Sequence, residues 1–165
     1  MHDAVIAYVG QSPAARTGSV LEFGSRNING SIRALFPHAS SYVGVDLAEG
    51  PDVDIVADAG TVSVPGLFDT VVCCEVFEHA DDLACQMIVT NAHAHLKAGG
   101  VFVATMAGPG RGEHSAIDGA GLHPGEFYRN VDRILLACWL ETAGFFEYEI
   151  DQAGRDMRCT ARKAA

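Results

Sequence analysis

Short apolar runs recur along the chain, separated by segments with helical spacing. The runs are Val20-Leu21-Glu22-Phe23, Tyr42-Val43-Gly44-Val45, residues 53–56, Val71-Val72-Cys73-Cys74 and residues 101–105. Their length and their flanking turn residues predict strands. The fourth run is apolar throughout, the pattern of a strand buried on both faces at the centre of a parallel sheet. Between the runs, Asp3 to Val9 reads as a helix lying against the sheet. Ser31 to Phe36 carries Ile32, Leu35 and Phe36 at helical spacing, and Pro37 stops it. Asp81-Asp82 opens another helix, where acids suit the positive end of the helix dipole; it runs to Leu96, with Gly99-Gly100 as its stop. Asn130 is expected to cap the last helix, Val131 to Ala143, with Ile134, Leu135, Cys138 and Trp139 on its apolar side and Gly144 at its end.

Gln11 to Gly18 reads as a connector, and Met106 to Gly125 as a long loop rich in Gly and His. Loops of that length in a compact domain are usually functional or mobile. Phe145 to Ile150 and Asp156 to Ala161 alternate around Gln152-Ala153-Gly154, a terminal antiparallel hairpin. Alternating strands and helices that close on a hairpin predict an α/β fold. The expected form is a three-layer α/β/α sandwich with a Rossmann-like, mostly parallel sheet.

Length narrows this picture. With 165 residues there is room for one domain, 1–165, so cofactor and substrate must share one edge of one sheet. The formal net charge of −10, without a Lys/Arg cluster, argues against nucleic acid as a partner. Cys73, Cys74, Cys85, Cys138 and Cys159 form no C-x-x-C pair, which points to reduced thiols in a cytosolic compartment. No apolar stretch approaches a membrane span, so the expectation is a soluble, cytoplasmic protein without a membrane partner.

The chemistry concentrates between Ser19 and Asp58. Strand, tight loop, helical segment and a strand ending in Asp46 are the grammar of a nucleotide site at the carboxyl edge of a parallel sheet. A strand tipped by an acid fits NAD equally well. The dinucleotide fingerprint needs G-x-G-x-x-G, however, and Gly24 and Gly30 have the wrong spacing.

Taken in order, Glu22-Phe23-Gly24, YVGVD ending in Asp46, DIVADA with Asp58-Ala59, FDTVVCCEVFEHA and LKAGGVFVAT resemble the motifs of the class I S-adenosylmethionine-dependent methyltransferases. The resemblance spans nearly the whole chain and points to a small stand-alone methyltransferase domain. It implies strand order 3-2-1-4-5-7-6 and S-adenosylmethionine as cofactor. It implies that Asp46 holds the ribose hydroxyls, with Leu47 beside it, and that Asp58 and the Ala59 amide read the adenine edge. Gly24 and Ser25 would approach the ligand, Glu22 would bind the methionine ammonium directly or through water, and Glu75 would sit near the sulfonium. The family's loop continues with two more alternating glycines; here those positions are Arg26 and Ile28. Arg26, or Asn27 and Asn29, is then the candidate for the methionine carboxylate.

For catalysis the candidates are His79, His123 and Glu113, as bases for an oxygen acceptor. His79 can instead start and orient the loop after the fourth strand, and Glu78 has similar standing. His93 and His95, two apart on a helix, do not face each other and read as ordinary helix-end histidines. Glu113, His114, Asp118 and His123 have no fixed ligand spacing, so no metal is assigned. Gly108-Pro109-Gly110-Arg111-Gly112 lacks G-K-[ST] and reads as a lid or acceptor-side loop. Tyr128, Arg129 and Asn130 can face the acceptor or simply cap and pack. The expected activity is methyl transfer to an O or N nucleophile of a small molecule or protein side chain. The alternatives are a catalytically silent nucleotide-binding module and an NAD enzyme.

Overall fold

A computed structural model describes residues 3–14 and 16–165. Position 15, within the expected connector, lies outside the described residues. Helix α1 is Asp3–Gln11 and β1 is Ser19–Phe23. Strands β2 (Ser41–Asp46), β3 (Ile55–Val56) and β4 (Phe68–Cys74) follow. Then come α2 (Asp82–His95), β5 (Leu96–Ala107), α3 (Arg133–Ala143), β6 (Glu147–Ala153) and β7 (Asp156–Arg162).

The seven strands form one sheet in the order β3-β2-β1-β4-β5-β7-β6. All pairs from β3 to β5 are parallel, and β7 runs antiparallel to both β5 and β6. The order reverses between β1 and β4, so the loops after these two strands diverge and leave a crevice at their carboxyl ends. In β4, Val71 and Cys73 join the apolar cluster on one face of the sheet, and Val72 and Cys74 the cluster on the other. The continuous apolar run thus becomes a strand sandwiched between layers. Helices α2 and α3 cover one face with Ile88, Val89, Leu136, Trp139 and Leu140; α1 covers the other with Val5 and Val9.

Five local expectations are corrected. Ser31 to Phe36 does not form an α-helix but a 3₁₀ turn, Arg33–Leu35. Between Gly30 at φ 132° and Pro37 there is room for less than two helical turns, too few to offset nucleation. Ile32 and Phe36 are buried all the same. Gly99-Gly100 does not stop α2, which gives way at Leu96 to extended backbone. The glycines sit inside β5, where Gly99 takes φ 73° and the β4–β5 register shifts between Phe68 and Thr70.

The cap of α3 is Asp132, not Asn130: the Asp132 carboxylate accepts from the Leu135 N–H at 2.9 Å. Asn130 instead donates to the Arg111 carbonyl at 3.0 Å. The buried side of α3 is accordingly Leu136, Trp139 and Leu140, while Ile134 and Cys138 face outward. His95 is more than a helix-end residue: it is buried, and its Nε2 accepts from the Val64 N–H at 3.0 Å. It fastens the segment before β4 to α2.

Candidate functional site

A cleft of about 810 Å³ opens at the carboxyl ends of β1, β2 and β4. Its floor is set by Gly24, which takes φ 76° directly after β1. A Cβ there would lie 2.2 Å from Val76 Cγ2, so only glycine lets the β1 and β4 loops meet this closely. The N–H groups of Gly24 and Ser25 both donate to the Val45 carbonyl, at 2.9 and 3.1 Å, and bend the loop toward β2.

Asp46 is held from two sides. Its Oδ2 accepts from the Arg26 N–H at 3.0 Å and its Oδ1 from the Ala48 N–H at 3.1 Å. Leu47 projects beside it, 76% exposed, and forms an apolar wall with Ile28. Asp58 accepts from the Gly60 N–H at 2.7 Å, and the Asn91 amide anchors the Ala59 carbonyl at 2.8 Å. Arg26 also lines the cleft, and its guanidinium reaches across the mouth to the Ile117 carbonyl at 3.4 Å.

The opposite wall begins at Glu75, a non-glycine residue at φ 60°. Left-handed backbone at such a residue costs energy that the surroundings must offset. The Glu75 N–H donates to the Thr105 carbonyl at 2.8 Å, the Thr105 hydroxyl donates to Oε1 at 3.0 Å, and Arg111 pairs with Oε2 at 2.7 Å. Arg111 also bridges to Asp156 at 2.9 Å, so one guanidinium ties the long loop to β4 and β7. A 3₁₀ turn, Phe77–His79, follows. Glu78 is fully buried; its Oε1 accepts from the Ala107 N–H at 3.2 Å. Burial, then the charge of Glu75, pushes its carboxyl well above the usual carboxylate range. His79 is half-buried, with its ring edge-on to His114 at 5.0 Å and Tyr128 at 5.6 Å. Burial and then His114 hold its pKa below the ordinary value.

Residues 108–132 form the lid side of the cleft. Glu126 gathers this loop by accepting from the Ser115 hydroxyl at 2.9 Å, the Ala116 N–H at 2.9 Å and the His123 N–H at 2.7 Å. Ser115, Ala116, His114 and Phe127 thereby reach the cleft wall.

Of the site residues expected from sequence, Gly24, Arg26, Asn29, Asp46 and Leu47 lie on this cleft, as do Asp58, Ala59, Glu75 and His79. Glu22 and Ser25 lie behind the wall, each 2% exposed. Glu22 accepts from the Tyr42 hydroxyl at 2.7 Å. His123 and Glu113 are not brought to the cleft. His123 pairs with Asp118 at 3.0 Å on the outer side of the loop, and Glu113 is exposed. Sequence reasoning missed Arg111 and Glu126. Arg111 sits in a stretch without periodicity and gains its meaning only from folding against Glu75.

No protein-family model matches the chain, and no curated protein does. Solved structures do. The 1,6-didemethyltoxoflavin-N1-methyltransferase of Burkholderia thailandensis, with 1,6-didemethyltoxoflavin and S-adenosylhomocysteine bound, superposes with a TM-score of 0.70 at 21% identity. That match covers 98% of this chain and 76% of the other. The N-methyltransferase NodS of Bradyrhizobium japonicum, in complex with S-adenosylhomocysteine, gives 0.67 at 17% identity, over 98% and 85% of the two chains. Human N-acetylserotonin methyltransferase with S-adenosylmethionine gives 0.63 at 15% identity, over 89% and 48%. With the sheet order 3-2-1-4-5-7-6, these likenesses define the fold as that of the class I S-adenosylmethionine-dependent methyltransferases.

Proposed function

We propose that the protein is an S-adenosylmethionine-dependent methyltransferase whose single domain, 1–165, methylates an oxygen or nitrogen nucleophile of a small molecule or protein side chain. The observation that carries this reading is Asp46, fixed at the tip of β2 by two backbone N–H groups. A carboxylate oxygen accepts more than one hydrogen bond, so each keeps capacity for a ribose hydroxyl. Leu47 and Ile28 offer an apolar wall to the flat base, and Asp58 can accept from its exocyclic amine. Arg26 is the cation available to the methionine carboxylate, and Glu75 lies toward the sulfonium. A volume of about 810 Å³ suits a cofactor and a small acceptor together.

S-adenosylmethionine supplies a methyl group already activated by its sulfonium. The protein's residues then bind, align and exclude water. A nitrogen acceptor presents its own lone pair. An oxygen acceptor must lose its proton, and His79, beside the cleft, is the residue that can assist. The similar structures carry 1,6-didemethyltoxoflavin or are named for N-acetylserotonin, which supports a small-molecule acceptor here.

The test is a screen of phenols, amines and nitrogen heterocycles with methyl-labelled S-adenosylmethionine. Label transfer to at least one acceptor is expected. Cofactor binding without transfer to any acceptor favours the silent module; affinity for NAD alone overturns both.

A further inference from the structure

We propose that Glu78, His79 and His114 form a binding site for a divalent transition-metal cation at the acceptor side of the cleft. One oxygen or ring nitrogen from each residue lies within 4.8 Å of the other two. His114 Nε2 stands 3.9 Å from Glu78 Oε1. Two imidazoles and a carboxylate around an open position are a donor set that first-row divalent cations take, zinc among them. Metal–ligand bonds of about 2.0–2.2 Å in a tetrahedral site place ligand atoms roughly 3.3 Å apart. Closing the set takes contraction of roughly 0.6 Å between His114 and Glu78 and of up to about 1.5 Å at the widest pair, by movement of His114 on its loop.

Two buried atoms point independently to a missing ligand. Glu78 Oε2 and His79 Nδ1 are both buried and have no hydrogen-bond partner. Glu78 is fully enclosed, and leaving its oxygen unmatched costs energy that a cation would recover. In the tautomer protonated at Nε2, the buried and unpartnered Nδ1 of His79 offers its lone pair to a metal.

The local charge also suits a cation. Arg111 is the nearby positive group, and Glu75 and Asp156 already compensate it. Glu78 adds a further carboxylate. The sequence could not expose this set, because adjacent Glu78 and His79 meet His114 only when the long loop folds back over the 3₁₀ turn. His79 and His114 line the cleft, so the open coordination position faces it. There a cation would bind an acceptor oxygen and lower its pKa, so that the proton leaves to solvent water without His79 as the base. That use rests on the methyltransferase reading; the site itself does not.

The test measures binding rather than turnover, so it stands whether or not the protein transfers methyl groups. Chelator-treated protein is dialysed against zinc chloride and, separately, cobalt chloride. One cation per chain is expected, with a visible absorption band for cobalt and a raised melting temperature. His114→Ala and His79→Ala should each weaken binding by more than the roughly 10- to 100-fold that losing an outer-shell partner costs. His38→Ala, an exposed histidine elsewhere, should leave it unchanged. No uptake at millimolar cation, or uptake that survives both His114→Ala and His79→Ala in folded protein, overturns the proposal.

Discussion

The Arg26 backbone N–H and the Asp46 carboxylate meet at 3.0 Å, so the loop after β1 and the tip of β2 are locked as one unit. The backbone of Arg26 orients an acid while its side chain remains on the cleft wall. Arg26→Ala keeps the backbone bond and removes only the guanidinium. It should weaken S-adenosylhomocysteine binding by about 10-fold or more, as expected for a hydrogen bond to a charged group. Affinity for 5′-methylthioadenosine, which has no carboxylate, should not change. Calorimetry with the two ligands checks this, and equal losses for both would show that Arg26 acts on the loop instead.

Gly24 tests the crowding between the β1 and β4 loops. Alanine there must adopt φ 76° and clear Val76. Gly24→Ala is expected to cost about 2 kcal/mol or more, and the melting temperature should fall by roughly 4–8 °C. Thermal denaturation followed by circular dichroism measures it.

Glu22 gives stability a pH dependence. Burial is the main cause that raises its carboxyl from an ordinary value near 4.5 to about 7, against the lowering effect of the Tyr42 hydroxyl. The folded state therefore keeps a proton that the unfolded chain releases. This contribution is fully present below about pH 4.5 and is lost as pH rises toward 7, on the order of 3 kcal/mol over the window. Glu22→Gln removes it. Urea unfolding at pH 5 and pH 8 should show the variant gaining stability relative to the parent protein at the higher pH.

Arg111 fastens the long loop through Glu75 and Asp156. Arg111→Ala releases both acids and should raise the rate of proteolytic cleavage within residues 108–132 several-fold, with cleavage elsewhere unchanged. Limited proteolysis with mass mapping reads this directly.

What could be read from the sequence follows the range of each signal. Asp46 and Asp58 stood out because an acid ending an apolar run marks the carboxyl edge of a parallel sheet, and both lie on the cleft. The sheet order came from the family that the ordered set of motifs resembles, and the strands take that order. Asn130 and Asp132 are equally good caps by composition; the choice falls to Asp132 because Val131 is pinned to the Ala107 carbonyl at 2.8 Å. Gly99-Gly100 looked like a helix stop, but the extended backbone at Leu96 had already ended the helix. The pairing of Arg111 with Glu75 and the approach of His114 to Glu78 depend on how a loop without periodicity folds back. Local pattern carries no trace of that.

The central claim is that the cleft around Asp46 takes the adenosyl and methionine parts of S-adenosylmethionine, and titration calorimetry with S-adenosylhomocysteine tests it most directly. Saturable binding at one ligand per chain is expected, weakened at least about 100-fold in Asp46→Ala, which would lose the two charge-assisted hydrogen bonds proposed to ribose. No heat of binding at millimolar S-adenosylhomocysteine or S-adenosylmethionine would contradict the account.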